Sequence, residues 1–131
     1  MKKFFSKYKI IFYFLNFFLI FLYLFPGSLL GFIIYDNINK QPQITSDFIV
    51  SSNHFYVFFI TSFIGLLSFE KESQIKALLI YLISLSIIIE FFHLFIPERS
   101  FQWSDLFGNL SGVILVIVIN NLINKYGLFK K

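Results

Sequence analysis

The 131-residue chain contains no cysteine, which excludes a disulfide framework, a thiolate metal site and a cysteine nucleophile. Charge is scarce as well, because only 14% of the residues are charged, whereas a soluble domain carries about a quarter. Hydrophobic residues make up 57% of the chain, and the mean hydropathy is +0.77. This length allows one domain, and this composition lacks the polar surface that a water-soluble domain needs. We therefore expect a single membrane domain over residues 1–131.

The net charge of +4 does not indicate a nucleic-acid-binding protein, because the basic residues lie beside apolar runs and form no extended basic face. Their distribution instead predicts an orientation in the membrane. With the N-terminus inside, the outer loops hold only Lys40 and Arg99, and the cytoplasmic segments hold nine basic residues. These nine are Lys2, Lys3, Lys7, Lys9, Lys71, Lys76, Lys125, Lys130 and Lys131. We predict a multi-pass protein of the bacterial cytoplasmic (inner) membrane with both termini in the cytoplasm.

Apolar stretches that approach the roughly 20 helical residues needed to cross a bilayer occur four times. They cover about 10–30, 54–69, 77–96 and 105–123. Pro26-Gly27 is expected to kink or end the first span, and Pro97 to stop the third. The second is the shortest and is expected to extend outward by a turn through Ser51, Ser52 and Asn53. The predicted fold class is all-α, a polytopic transmembrane bundle of four helices.

Two alternatives to this topology stay open. The second span is compatible with a re-entrant hairpin arm, although the absence of charge within 55–69 favours full crossing. The Lys-rich start followed by an apolar run is compatible with a cleavable signal peptide. No small-x-small cleavage site follows that run, so an uncleaved first helix is the better interpretation.

Polar and small residues recur on one face of each predicted span, as in a bundle with a polar interior and an apolar exterior. In the third span, Glu90 lies about 10 Å below the outer end, and a carboxylate is costly inside a span, about 2.5–3.5 kcal/mol at mid-bilayer. In the fourth, Gly108 and Gly112 form a small-residue ridge that allows a neighbouring helix to approach closely. The topology brings the outer ends of three spans together. The predicted polar cluster in the outer leaflet consists of His54, Glu90, His93, Arg99, Asp105 and Asn109.

Each member of this cluster also has a structural interpretation. Glu90 with His93 or Arg99 is compatible with a buried pair that fixes helix packing, and Asp105 with a helix N-cap. Asn109 is compatible with an interhelical hydrogen bond. Trp103 is expected to anchor at the interface, and His54 to be solvated at a helix start. The ligand types of His54, Glu90, His93 and Asp105 suit a metal, but the spacing leaves most distances open. We predict no metal and no cofactor.

The segment from Glu90 to Gly112 resembles the signature of the VanZ-like family, small bacterial membrane proteins named after a member associated with teicoplanin resistance. The family pattern runs Glu-x-x-Gln, Pro-x-Arg and Asp-x-x-x-Asn-x-x-Gly, after a His at the start of the previous helix. The matching residues are Glu90, Pro97, Arg99, Asp105, Asn109, Gly112 and His54. His93 replaces the usual Gln, and Val50 and Ser51 replace an Asp-Lys pair. The resemblance covers the second to fourth spans.

The resemblance implies a cell-envelope protein with a role in glycopeptide susceptibility. We expect a non-enzymatic protein whose Arg99 engages an anionic membrane lipid or lipid-linked envelope precursor, because the planar guanidinium binds phosphate bidentately. One alternative is an enzyme acting on lipid head groups, with His54 or His93 as general base and Glu90 or Asp105 as its orienting partner. Another is a transporter or channel subunit, which would need an oligomer to line a path. The sequence does not determine the oligomeric state.

Overall fold

The structure is a computed structural model that describes residues 2–127, with side chains from Lys7 onward. Within this range there is no strand, and the chain forms five helices. They are α1 (Lys2–Leu24), α2 (Leu29–Tyr35), α3 (Ser52–Ser68), α4 (Glu72–Phe92) and α5 (Trp103–Tyr126). The predicted all-α class is confirmed for this range, whereas the predicted count of four helices is not. The side chains of Lys2, Lys3, Lys130 and Lys131, counted in the predicted orientation, lie outside the described residues.

Three of the described helices are long and apolar enough to cross a membrane. They are the Lys7–Leu24 part of α1, the whole of α4 and the whole of α5. Helix α3 is apolar too, but with 17 residues it is shorter than these three. The expectation of a membrane protein with transmembrane helices is therefore confirmed at this level.

The first predicted span, about 10–30, divides into two helices at Pro26-Gly27. Helix α1 ends at Leu24, and Gly27 adopts a φ of +77°, a conformation that suits glycine. The short α2 then begins after Ser28, whose Oγ accepts a hydrogen bond of 2.9 Å from the Gly31 N–H. The proline therefore ends the first helix rather than kinking it.

Helix α4 is displaced toward the N-terminus relative to its predicted span of 77–96. It begins at Glu72 because polar residues, including the exposed Glu72–Lys76 pair, continue the helix beyond the apolar run. It ends at Phe92, before the expected stop at Pro97. The N–H groups of the next residues bond three residues back, as in His93 N to Glu90 O at 3.1 Å, which tightens the last turn.

Helix α3 lies at the centre of the fold, where it packs against α5 and α1, while α4 packs against α5. The contact between α3 and α5 is close because Gly108 and Gly112 face α3. A Cβ at Gly112 would lie 2.6 Å from the Phe55 carbonyl oxygen and 2.8 Å from the Phe59 nitrogen. The two backbones therefore meet without intervening side chains, as small residues permit in membrane helices.

Polarity is distributed inside out compared with a water-soluble protein. Among the described residues, eleven polar or charged side chains are buried, against ten hydrophobic ones. Large apolar side chains cover the outside, as on the face of α1 that carries Ile10, Tyr13, Phe14, Phe17 and Phe21. Such a surface suits hydrocarbon, and the buried polar groups then need partners within the bundle.

Candidate functional site

His54 and Asn109 form the centre of the polar cluster, between the first turn of α3 and the second turn of α5. His54 Nδ1 lies 2.9 Å from Asn109 Oδ1. The Asn109 amide is oriented by its Nδ2, which donates to the Ser86 carbonyl at 3.1 Å, so its Oδ1 must be an acceptor. His54 Nδ1 therefore carries a proton, and in the neutral ring the lone pair is on Nε2.

Asp105 faces that Nε2 atom. Its Oδ2 lies 3.5 Å from His54 Nε2, one helical turn before Asn109. The N-cap position of α5 is occupied by Gln102, without a side-chain hydrogen bond, so Asp105 is not the N-cap considered from the sequence. It lies in the first turn, where the helix dipole favours a carboxylate.

Glu90 is completely buried near the end of α4. Its Oε1 accepts a hydrogen bond of 3.0 Å from the Gln102 N–H. Its Oε2 lies 3.2 Å from His93 Nδ1 but has no partner in hydrogen-bond geometry among the described residues. His93 Nε2 lies 2.9 Å from the Tyr23 carbonyl, which can only accept, so Nε2 carries a proton.

Arg99 makes contacts that the sequence did not predict. Its Nη2 donates to the Leu22 carbonyl at 2.8 Å and its Nε to the Phe25 carbonyl at 3.0 Å, so it caps the C-terminal end of α1. No carboxylate of the described residues lies within ion-pair distance of it, so a Glu90–Arg99 pair is not formed. Burial lowers the pKa of the Arg99 guanidinium, and nearby acidic groups raise it. The side chain stays protonated.

Tyr23 is a member of the observed polar cluster that sequence reasoning left out. Its hydroxyl donates to Asn109 Oδ1 at 3.3 Å, and its ring centroid lies 4.8 Å from that of His54 and 6.0 Å from that of His93. The face shared by Asn16, Tyr23 and Gly27 was the available signal. The contributions of Ser86 and Gln102 come from backbone groups, for which a sequence carries no signal.

Two cavities include Arg99 in their lining. One, of about 320 Å³, is mainly apolar, and its lining includes Leu22, Leu30, Ile44, His54 and Val57. The other, of about 210 Å³, is mainly polar and is lined by His93, Gln102 and Asp105 among others. Arg99 belongs to the lining of both.

The six residues predicted to cluster lie at the same end of the bundle but form separate groups. One nitrogen of His54 and one oxygen each of Glu90 and Asp105 lie within 4.8 Å of one another. His93 pairs with Glu90 and Asn109 with His54, whereas Arg99 is bonded to the end of α1. Gly108 supports this arrangement, because its Cβ would lie 3.0 Å from the His54 Cβ. Trp103 is 65% exposed at the start of α5.

No protein-family model, no curated protein and no solved structure matches this chain. The chemistry of the site follows from its own geometry. A partly buried cation lines both a polar and an apolar cavity, and the second ring nitrogen of His54 faces two carboxylates. The first arrangement suits an amphiphilic anion, and the second suits proton transfer or a cation.

Proposed function

We propose that this chain is a VanZ-like protein of the bacterial cytoplasmic membrane that binds an anionic lipid or lipid-linked envelope precursor in the outer leaflet. In this proposal α1, α3, α4 and α5 all cross the membrane, and both termini are cytoplasmic. Helix α3 is about 25 Å long at 1.5 Å per residue, and 17 residues is about the lower limit for a span. Arg99 and Lys40 would then face the outside.

Alkaline phosphatase fusions test this orientation. A fusion after Ser100, in the loop before α5, is expected to be active, and a fusion after Glu70, in the turn before α4, to be inactive. The reverse pattern would place the polar cluster at the cytoplasmic face and overturn the proposal.

The position of Arg99 carries the proposal of lipid binding. Its charge is partly buried, and no carboxylate of the described residues forms an ion pair with it. A partly buried charge without a direct ion pair is costly even with acidic groups nearby, and a bound anion would offset that cost. Because the guanidinium has five N–H groups and uses two on the α1 carbonyls, three are free to donate to a phosphate.

The two cavities determine what kind of anion fits. The apolar cavity, with Leu22, Leu30 and Val57 in its lining, suits an acyl or prenyl chain. The polar cavity suits a hydrated head group. A phosphate at Arg99 would lie between the two, as the phosphate of an amphiphile does.

The experiment compares lipid retention by purified variants. Native mass spectrometry of the wild type with mixed phosphatidylglycerol and phosphatidylcholine should show preferential retention of phosphatidylglycerol. Arg99→Gln should reduce this retention by about tenfold, which corresponds to roughly 1.4 kcal/mol and to the loss of a charged hydrogen bond. Lys40→Gln is the matched control. Lys40 is the other predicted outer cation, but its Nζ lies 4.1 Å above the Tyr35 ring. This variant should bind like the wild type.

Equal binding by wild type and Arg99→Gln, or an equal loss in Lys40→Gln, would sink the proposal. Because Arg99 also caps α1, the melting temperature of each variant in detergent is needed. If Arg99→Gln does not fold, Val57→Trp provides a second route, since it fills the apolar cavity without removing the Arg99 bonds. Unchanged retention in Val57→Trp would then decide against the proposal.

A further inference from the structure

Three metal-ligand atoms from three different helices meet at the polar end of the bundle. They belong to His54 on α3, Glu90 on α4 and Asp105 on α5, and all lie within 4.8 Å of one another. The side chains are 7%, 0% and 17% exposed, respectively. Carboxylates on a protein surface often gather without binding an ion, but burial makes such a group costly unless something neutralises it.

His54 is prepared as a ligand by the contacts of its other nitrogen. Because Nδ1–H donates to Asn109 Oδ1, the Nε2 lone pair points toward Asp105. The Ser86 carbonyl in turn fixes the Asn109 amide. A ligand histidine in a metal site is oriented in this way, with its second ring nitrogen donating to an oxygen held by the surrounding protein.

Glu90 supplies an independent indication that this cluster can hold a cation. Its Oε2 is fully buried and has no hydrogen-bond partner among residues 2–127, although His93 Nδ1 lies 3.2 Å away. No Lys or Arg in that range forms an ion pair with Glu90 or Asp105. The buried carboxylate of Glu90 and the half-buried one of Asp105, which is also hydrogen-bonded by Ser51, would be neutralised by histidine protons or by a bound cation.

We propose that His54 Nε2, Glu90 and Asp105 bind a divalent transition-metal ion, Zn²⁺ or Mn²⁺. An imidazole with two carboxylates suits these ions, and a chain without cysteine offers no thiolate to softer metals. Zinc bonds of about 2.0–2.2 Å place tetrahedral ligands about 3.4 Å apart. The His54–Asp105 separation of 3.5 Å already meets this requirement, and Glu90 has to move by little more than 1 Å. Asp105 also lines the polar cavity, which provides room for an exchangeable fourth ligand.

This proposal does not depend on lipid binding, and its test uses metal alone. The full chain is purified in detergent, stripped with a chelator and titrated calorimetrically with Zn²⁺ and with Mn²⁺. We expect one ion per chain. His54→Gln and Asp105→Asn should weaken binding by more than about 100-fold, since loss of an outer-shell partner already costs about 10–100-fold.

Asp47→Asn is the matched control for Asp105→Asn. Asp47 accepts a hydrogen bond of 3.0 Å from the Ser52 N–H in the same region, but it is not one of the three ligands. This variant should bind metal like the wild type. The proposal is overturned if the wild type binds no ion at this stoichiometry, if His54→Gln and Asp105→Asn bind like the wild type, or if Asp47→Asn loses binding equally.

A measurement on the wild type covers the case in which the variants do not fold. Electron spin-echo spectroscopy of the Mn²⁺-loaded protein should show coupling to one imidazole nitrogen. Bound Mn²⁺ without nitrogen coupling would place the ion elsewhere and overturn the assignment of His54.

Discussion

The two ends of the bundle are built from the same helices but are held together differently. At the apolar end, Phe12 of α1 packs edge-on against Phe69, and Gly65 of α3 lets Leu78 of α4 approach. At the polar end, α3, α4 and α5 are joined by hydrogen bonds that centre on Asn109. Close packing of apolar side chains holds the helices together at one end, and hydrogen bonds between polar groups do so at the other.

The difference between the two ends bears on what holds membrane helices together. Lipid chains are as apolar as Leu or Phe, so the hydrophobic effect does not drive helices together in a bilayer, and close packing has to do so. At the apolar end the helices pack mainly through apolar side chains, although Lys9 Nζ also lies 5.4 Å from the centroid of the Phe69 ring. The proposed lipid site and the proposed metal site both use the ionisable groups at the other end, where such groups are costly in a membrane.

Among all the substitutions, those of Glu90 should show the largest effect of losing a polar contact at the polar end. Glu90→Leu leaves the Gln102 N–H without its acceptor and removes the carboxylate that lies beside His93 Nδ1, and losing one partner of a buried pair costs about 3–5 kcal/mol. Glu90→Gln should cost much less, because the amide accepts from Gln102 and donates to a neutral His93 Nδ1. The free energy of unfolding in mixed micelles measures both.

The control is Ser62→Ala on α3. The Ser62 hydroxyl is buried without a hydrogen-bond partner in the described structure, so its removal should not destabilise the protein. If Glu90→Leu and Glu90→Gln were equally destabilising, the charge of Glu90 rather than its hydrogen bonds would be the essential property.

Substitution of two glycines, one near each end of the bundle, should have an intermediate effect on stability. Gly112→Ala should cost about 1–3 kcal/mol, because the added Cβ meets the backbone of Phe55 and Phe59, which cannot move aside. Gly65→Ala should cost less, since its Cβ meets the side-chain ends of Phe12 at 3.0 Å and Leu78 at 3.1 Å. Thermal unfolding of both variants in one detergent gives the order. A larger loss for Gly65→Ala would mean that the apolar end is the more rigid one.

The smallest effect is expected at the surface of the apolar end. Glu72 and Lys76 form an ion pair of 2.9 Å one helical turn apart, but both side chains are exposed. Solvent screens such a pair, so Glu72→Gln should leave the melting temperature unchanged within error. A clear decrease in the melting temperature would show that this ion pair stabilises the start of α4 despite its exposure.

Part of the site could be predicted from the sequence because helical periodicity places residues on faces. Glu90 and His93 are three apart, and Asp105 and Asn109 four apart, so each pair shares a face in any helix. The Gly108–Gly112 ridge was likewise visible as a spacing. The role of Arg99 was not predictable, because its partners are backbone carbonyls of α1 more than seventy positions away in the chain.

Helix boundaries likewise divide into those that a local sequence signal predicts and those that it does not. Pro26-Gly27 is a local signal, and the break between α1 and α2 falls there. The end of α4 at Phe92 has no comparable local signal. It coincides with the contacts of His93 and Arg99 to α1, which only the folded chain brings close.

The sequence by itself determined that this chain is helical, that its apolar stretches suit a membrane, and which side chains share each helix face. These properties depend on neighbours within a few turns. Only the tertiary structure decided that His54 Nε2 faces Asp105, that Glu90 Oε2 has no hydrogen-bond partner among the described residues, and that Arg99 lines two cavities. Those contacts join different helices, and their geometry depends on how the helices pack.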